Sequence, residues 1–184
     1  MARKIKFSKE EILEKSVEFI KEHGYSNLTV RELAKYIGCS TQPIFKNYTN
    51  FDMYKKDLKS YLKKDYSNFI FKYVDIEDYL HTISYAYALY AKKEPNVFFS
   101  LFMADLAGSR TVREVLDTDR NKVTIEAMVK QYNISLETAE RVYRDIRFYT
   151  HGMATQLCVK SIKLTDEEIK ELIKNNIEIN LRGN

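Results

Sequence analysis

The hydrophobic positions of this chain recur three and four residues apart in nearly every segment, which is the spacing that places them on one face of a helix. The 5 Gly and 2 Pro are too few for the turn clusters of a β-rich chain, so an all-α fold is predicted. Several segments open with Ser or Thr followed three positions later by Glu, a capping box that marks a helix start. The helices that we expect cover residues 8–24, 30–38, 40–48, 50–73, 75–93, 97–108, 111–116, 119–132, 135–162 and 165–180.

The stretch Thr29–Tyr48 predicts two short helices joined by a tight turn. The first would begin after a capping box at its N-terminus. Gly38 falls where a helix C-terminus favours a residue that tolerates positive φ. Ser40 would be the N-cap of the second helix, and Pro43 would lie in its first turn, where a missing N–H costs nothing.

The second short helix would expose polar side chains that suit DNA. Ile44 and Tyr48 lie four residues apart, so both can face inward. Gln42 and Lys46 then point the opposite way. Gln can form two hydrogen bonds with adenine, and Lys can contact guanine or a phosphate. A plain αα-hairpin inside some other helical protein is the alternative interpretation of this pattern.

The flanks extend the pattern over residues 8–62. A first helix ends in the pair Gly24-Tyr25, the two short helices follow, and a longer helix begins with charged residues. This run resembles the DNA-binding domain of the TetR family of transcriptional repressors. The chain departs from the family pattern at Gln42-Pro43, where relatives usually carry a small residue. The resemblance implies a homodimer that binds a palindromic operator in double-stranded DNA and leaves it when a small-molecule effector binds.

Phosphate contacts are expected on both sides of the exposed helix. Thr29 and Arg31 stand at a helix N-terminus, where backbone N–H groups favour phosphate. Tyr48 and Lys55 flank the second short helix and complete the expected phosphate contacts. The residues expected to face DNA are Thr29, Arg31, Ser40, Thr41, Gln42, Pro43, Phe45, Lys46, Asn47, Tyr48 and Lys55.

The C-terminal half is rich in Tyr, Phe and Met, the residue types that line apolar pockets and, in Tyr, supply a polar tip. The resemblance implies an effector pocket between the fourth and eighth helices, suited to an apolar or aromatic molecule. Such a stripe also forms plain core, and His151 in particular can be a core or dimer-interface histidine. The residues expected to line the pocket are Tyr61, Tyr66, Tyr87, Tyr90, Phe102, Met103, Tyr149 and His151.

The expected division is a DNA-binding domain over residues 1–52 and an effector-binding and dimerisation domain over residues 53–184. The fourth helix would begin in the first and end in the second, so an effector that shifts it could spoil the spacing of about 34–36 Å between the two DNA-reading helices. The resemblance implies dimerisation through the last two helices. An apolar stripe on the last helix would join a four-helix interface, or else pack inside its own domain. That stripe is Ile169, Leu172, Ile173 and Ile177.

Charge is unevenly distributed along the chain. The net charge is +4, residues 1–60 hold 12 Lys and Arg against 8 Asp and Glu, and the remainder holds 18 of each. All the excess positive charge therefore lies in the segment expected to bind DNA, although a solvated basic tail at its start contributes to it. This distribution suits contact with phosphates.

Other functional classes lack their motifs. The 2 Cys and 3 His show no metal-ligand spacing, and there is no glycine-rich phosphate loop, so we expect neither an enzyme nor a cofactor or metal site. The N-terminus lacks the apolar core of a signal peptide, and no apolar run approaches the length of a membrane span, so we expect a cytoplasmic protein. The alternative function is a DNA-binding protein of the same fold without a small-molecule effector, acting through a protein partner or in chromosome organisation.

Overall fold

The computed structural model describes residues 7–104 and 108–182, and all the regular secondary structure in these ranges is helical. The predicted all-α class is therefore confirmed. None of the helices in these ranges combines the length and the apolar character that a membrane crossing requires. The helices are α1 (Lys9–His23), α2 (Val30–Ile37), α3 (Gln42–Asn47), α4 (Phe51–Ile70), α5 (Tyr79–Lys93), α6 (Pro95–Phe102), α7 (Val112–Leu116), α8 (Asp119–Tyr132), α9 (Leu136–Cys158) and α10 (Asp166–Arg182).

The chain forms two compact units. The first comprises the described residues of Met1–Ser67 and Glu94–Ala107, and the second comprises those of Asn68–Lys93 and Gly108–Asn184. The first unit thus contains all of α6 and most of α4 in addition to α1, α2 and α3. Of the basic tail expected over residues 1–7, residues 1–6 lie outside the described part of the chain.

The core of the first unit is built on α1. Ser8 and Glu11 form the predicted capping box in both directions, and the helix ends at Gly24 with a φ of 80°. Ser16 is fully buried, where its hydroxyl donates to the carbonyl of Ile12 at 2.5 Å and accepts from the hydroxyl of Tyr54 at 2.7 Å. These two hydrogen bonds satisfy the buried hydroxyls of Ser16 and Tyr54 and hold α4 against α1.

The core of the second unit lies among α5, α8, α9 and α10. Ile169, Ile173 and Ile177 of α10 are buried in it together with residues such as Val142 and Ile146 of α9. The stripe that was expected at a dimer interface is therefore buried inside its own chain. This is the alternative interpretation, in which the stripe packs inside its own domain. Among the four stripe residues, only Leu172 remains exposed.

Several helix ends differ from the prediction. Asp75 accepts a hydrogen bond from the backbone of Glu77 and so forms a local turn, and α5 begins only at Tyr79. Lys160 adopts a φ of 58°, which stops α9 at Cys158 well before residue 162.

The apolar segment 97–108 also differs from the prediction in its helix bounds and in its burial. Its helix, α6, ends at Phe102, while residues 105–107 lie outside the described part of the chain. Phe99 is 45% exposed. A run as apolar as residues 97–108 predicts a fully buried helix, and this prediction is wrong, because α6 packs one face on α1 and leaves the other open.

Candidate nucleic-acid interface

The turn between α2 and α3 is fixed by backbone geometry. Thr29 caps α2 by accepting a hydrogen bond from the N–H of Glu32 at 3.1 Å. Gly38 ends the helix in the left-handed conformation, with φ 79° and ψ 33°, and its N–H donates to the carbonyls of Ala34 and Lys35. A left-handed glycine directly after the last helical residue closes the helix and reverses the chain.

The start of α3 differs from the prediction. The N-cap is Thr41, in a helical conformation and without a capping hydrogen bond from its side chain, so the prediction of Ser40 as N-cap is wrong. Pro43 does lie in the first turn. Its missing N–H removes one donor that a cap would otherwise have to satisfy, and this reduces the need for a side-chain cap.

Two buried side chains hold α3 in place. Ile44 and Tyr48 are each 2% exposed, as their spacing predicted. The ring of Tyr48 packs edge-on against Tyr54 of α4 with 5.2 Å between centroids, and the ammonium of Lys9 lies 4.8 Å from its centre. A helix of 6 residues is too short to be stable by itself, so these tertiary contacts keep it folded.

The opposite face of α3 is open to solvent. Gln42, Phe45 and Lys46 are exposed, and 59% of the Phe45 surface is accessible. Asn47 is different, because its amide donates to the carbonyl of Phe7 at 3.0 Å and to that of Pro43 at 2.9 Å. The side chain of Asn47 therefore links α3 to Phe7, which lies just before α1.

The expected phosphate-contacting residues lie in two different environments. Thr29 and Arg31 are exposed, and Lys55 is half-buried with its ammonium 5.1 Å from the ring centre of Phe51. By contrast, the hydroxyl of Tyr48 is buried and makes no hydrogen bond with the described residues. Burial raises the pKa of Tyr48 to about 12. The phosphate contact predicted for Tyr48 would therefore require its ring to leave the core.

The pairing of Phe51 with Lys55 was not predicted from the sequence. The two residues lie four positions apart at the start of α4, and this spacing brings side chains together on one helix face. A cation held over an aromatic ring loses freedom and is presented in a fixed direction. The pairing restricts the Lys55 ammonium beside α3, and the i,i+4 spacing was the signal that could have identified it.

Four of the residues expected to bind an effector lie in the first unit. Tyr66 and Phe102 pack edge-on with 5.2 Å between their centroids. Tyr61 is half-buried and its hydroxyl donates to Glu14 at 3.3 Å, and Met103 is half-buried directly after α6. Within this unit the structure therefore brings Tyr66 and Phe102 together.

The other four lie in the second unit. The hydroxyl of Tyr87 is hydrogen-bonded to Nδ1 of His151 at 2.8 Å. Burial, and then the charge of Arg147, lowers the pKa of His151 and favours the neutral imidazole. Tyr90 is fully buried, whereas Tyr149 is 38% exposed. The pairing of Tyr87 with His151 agrees with a core role for this histidine.

Grooves occur elsewhere on both units. One of about 740 Å³ lies in the first unit between the C-terminal part of α1 and α2. Another of about 390 Å³ lies in the second unit between the start of α5 and α10. None of the residues expected to bind an effector lines either groove. Within residues 7–104 and 108–182 no three His, Cys, Asp or Glu side chains are grouped so that they could hold a metal ion.

No protein-family model matches this sequence, and none of the curated proteins compared with it shows significant similarity.

Proposed function

We propose that the protein is a DNA-binding transcriptional regulator of the TetR type, a repressor that acts as a homodimer on palindromic DNA. The observation that carries this proposal is the exposed face of α3. Gln42, Phe45 and Lys46 face solvent from a short helix whose other side is anchored by buried residues beyond a left-handed turn. A helix held in this way can enter a major groove without unfolding.

Each exposed side chain of α3 matches a base-edge chemistry. The Gln42 amide can donate to N7 and accept from N6 of an adenine. The Lys46 ammonium can reach O6 and N7 of a guanine, or a phosphate, and the Phe45 ring can contact a thymine methyl group. In this arrangement α2 and α3 form a helix-turn-helix in which α3 is the recognition helix.

The surroundings of α3 support phosphate contact. The N-terminus of α2 has free N–H groups and the exposed side chains of Thr29 and Arg31. Lys55 is held over Phe51 at the start of α4. The excess of Lys and Arg within residues 1–60 gives this end of the chain the positive charge that DNA binding requires.

Because the stripe of α10 is buried in the second unit, we propose a dimer interface on other, exposed residues of α9 and α10. On α9, Phe148 and Gly152 are exposed four residues apart, and the exposed Val159 follows directly after the helix, seven residues beyond Gly152, which continues the spacing of a heptad seam. Among the described residues, a Cβ added to Gly152 would meet nothing within 4 Å, so the open backbone is available to a partner helix. On α10, Leu172 and Ile179 are exposed one heptad apart. These faces would form a four-helix interface with the partner chain.

Release by a small apolar or aromatic effector completes the proposal. It is supported by the abundance of Tyr, Phe and Met after residue 60 and by the resemblance of residues 8–62 to the DNA-binding domain of TetR repressors. An effector that lowers DNA affinity must itself be bound more weakly in the presence of DNA, by the same factor. The alternative without an effector predicts no such coupling.

Selection from a library of random duplex DNA tests the proposal. The full-length chain should enrich a palindrome whose half-sites are centred about 10–10.5 base pairs apart, or a multiple of that spacing. A double variant, Gln42→Ala with Lys46→Ala, should lose this enrichment while remaining folded. If the wild-type chain enriches no sequence, or if the double variant enriches the same one, the proposed recognition helix is wrong.

A further inference from the structure

The groove between the start of α5 and α10 has the dimensions of a small-molecule site. Its volume of about 390 Å³ lies within the range of about 300–1,000 Å³ that is common for ligand pockets. Both of its walls belong to the second unit, and α5 packs directly on α10. It is lined by Asp78, His81, Thr82, Tyr85, Lys170, Ile173 and Lys174.

Most of the wall is apolar. Ile173, which is 1% exposed and belongs to the core, closes the groove on the α10 side, and the half-buried ring of Tyr85 forms the α5 side. The hydroxyl of Thr82 is already occupied by the carbonyls of Asp75 and Asp78. A ligand would therefore meet hydrocarbon surface in the groove, and burial of its own apolar part would favour binding.

The rim carries the positive charge of two lysines of α10. Lys170 and Lys174 lie one turn apart on α10, and the ammonium of Lys170 stands 4.9 Å from the ring centre of Tyr85. Neither lysine forms an ion pair with a carboxylate in the described part of the chain, although Glu171 and Glu178 lie on the same helix. Two like charges at this spacing repel each other, so an anion between them would remove a cost.

Two of the carboxylates near the groove already have partners. Asp78 binds Nδ1 of His81 at 2.6 Å, and Asp166 binds the ammonium of Lys92 at 2.7 Å. Asp166 also accepts a hydrogen bond from Tyr85. The Asp78 carboxylate lines the groove, but it is one carboxylate against the two lysines of α10, so the rim keeps an excess of positive charge that suits an anion.

We propose that this groove binds a small amphipathic carboxylate. The carboxylate would lie between Lys170 and Lys174, and its aromatic or aliphatic body would lie on the half-buried ring of Tyr85, with the buried Ile173 beneath it. This assignment differs from the aromatic residues expected to form an effector pocket, because it combines an apolar wall with two cations. That such a ligand acts as the effector rests on the proposed function, whereas its binding does not.

Calorimetric titration of the full-length chain without DNA tests the binding. The probes are naphthylacetate and the matched neutral alcohol, naphthylethanol. Naphthylacetate should bind with a Kd of about 1 mM or tighter, the value expected for a ligand of this size. The alcohol should bind about tenfold more weakly, a difference of about 1.4 kcal/mol.

Lysine variants locate the site. The double variant Lys170→Gln with Lys174→Gln should weaken naphthylacetate binding about tenfold and leave the alcohol unchanged, because only the acid carries a charge for the lysines to attract. Lys122→Gln on α8 removes an equally exposed lysine outside the groove and should change neither affinity. Circular dichroism should show that all variants remain folded.

Three results would overturn the proposal: no saturable binding of naphthylacetate, equal affinity for acid and alcohol, or equal affinities in the double variant and in Lys122→Gln. DNA selected by the chain then tests the regulatory role separately. If naphthylacetate binds but does not change DNA affinity, the groove stands as a binding site and its effector role is refuted. If the chain binds no DNA, the proposed function fails, and the titrations still decide whether the groove binds a carboxylate.

Discussion

Gln42 differs from its neighbour Asn47 although both carry a side-chain amide on the same short helix. The Asn47 amide is used within the chain, in two hydrogen bonds to backbone carbonyls. Gln42 is exposed and its amide makes no hydrogen bond in the described part of the chain. Of the two amides, only that of Gln42 is therefore available for the proposed base contact.

Replacing Gln42 by Ala should relax the preference of the chain at one position of its DNA site. A good bidentate contact discriminates against the wrong base by about 1–3 kcal/mol, and that discrimination should be lost. Competition binding against sites mutated one base at a time measures it. Asn68→Ala, which removes an exposed side-chain amide on α4, is the control and should leave every position unchanged. Uniform weakening on all sites would instead assign Gln42 to a phosphate.

Replacing Lys55 by Gln should alter the salt dependence of DNA binding. A lysine that neutralises a phosphate releases a counterion, so its removal should lower the slope of log K against log salt by about one unit. Sequence preference should not change. Lys63→Gln, on the same helix two turns further along, serves as the control and should keep the wild-type slope. A wild-type slope in the Lys55 variant would place this residue outside the footprint.

At the scale of elements, the connection between α2 and α3 depends on one left-handed residue. Gly38→Ala should destabilise the chain by about 1–2 kcal/mol, because Cβ is unfavourable in this conformation although the site itself has open space. Urea unfolding followed by circular dichroism measures the loss. Gly38→Asn tests the cause, since Asn tolerates the left-handed region better and should recover part of the stability. Equal losses in both variants would contradict a conformational origin.

At the scale of the whole molecule, the question is which apolar surface remains for a second copy of the chain. Ile173 is in the core, so Ile173→Asp should unfold the second unit rather than separate two protomers. Phe148 is 58% exposed on the outer face of α9. A substitution to Asp should therefore unfold the second unit at the buried Ile173, but it should leave the chain folded at the exposed Phe148.

Phe148→Asp should therefore give a folded monomer, because a charge would have to be buried unpaired at the proposed interface. Sedimentation velocity reports the association state, and circular dichroism reports the fold. Ile76→Asp, at a residue that is 84% exposed before α5, is the control and should remain dimeric. A Phe148→Asp chain that is folded and still dimeric would exclude this face.

Local sequence determined most of the secondary structure. The capping boxes at Ser8 and Thr165, the glycines at positions 24 and 38, and the spacing of apolar residues all act within one or two helical turns. Their physical effect depends on near neighbours, so these helix starts and stops could be predicted. The burial of Ile44 and Tyr48 and the exposure of Gln42 and Lys46 followed from the same short-range geometry.

The tertiary structure decided which helix faces were used. The stripe containing Ile173 could equally have packed on a partner, and only its burial among α5, α8 and α9 settled its place. Likewise, the hydroxyl of Tyr48 was expected to contact a phosphate, but packing against Tyr54 buried it. The groove brings Lys170 and Lys174 of α10 together with Asp78 and His81, which lie about 90 positions earlier in the sequence, because α5 packs on α10. Burial and long-range pairing depend on contacts between distant segments, and a periodic pattern in one segment does not specify its partner.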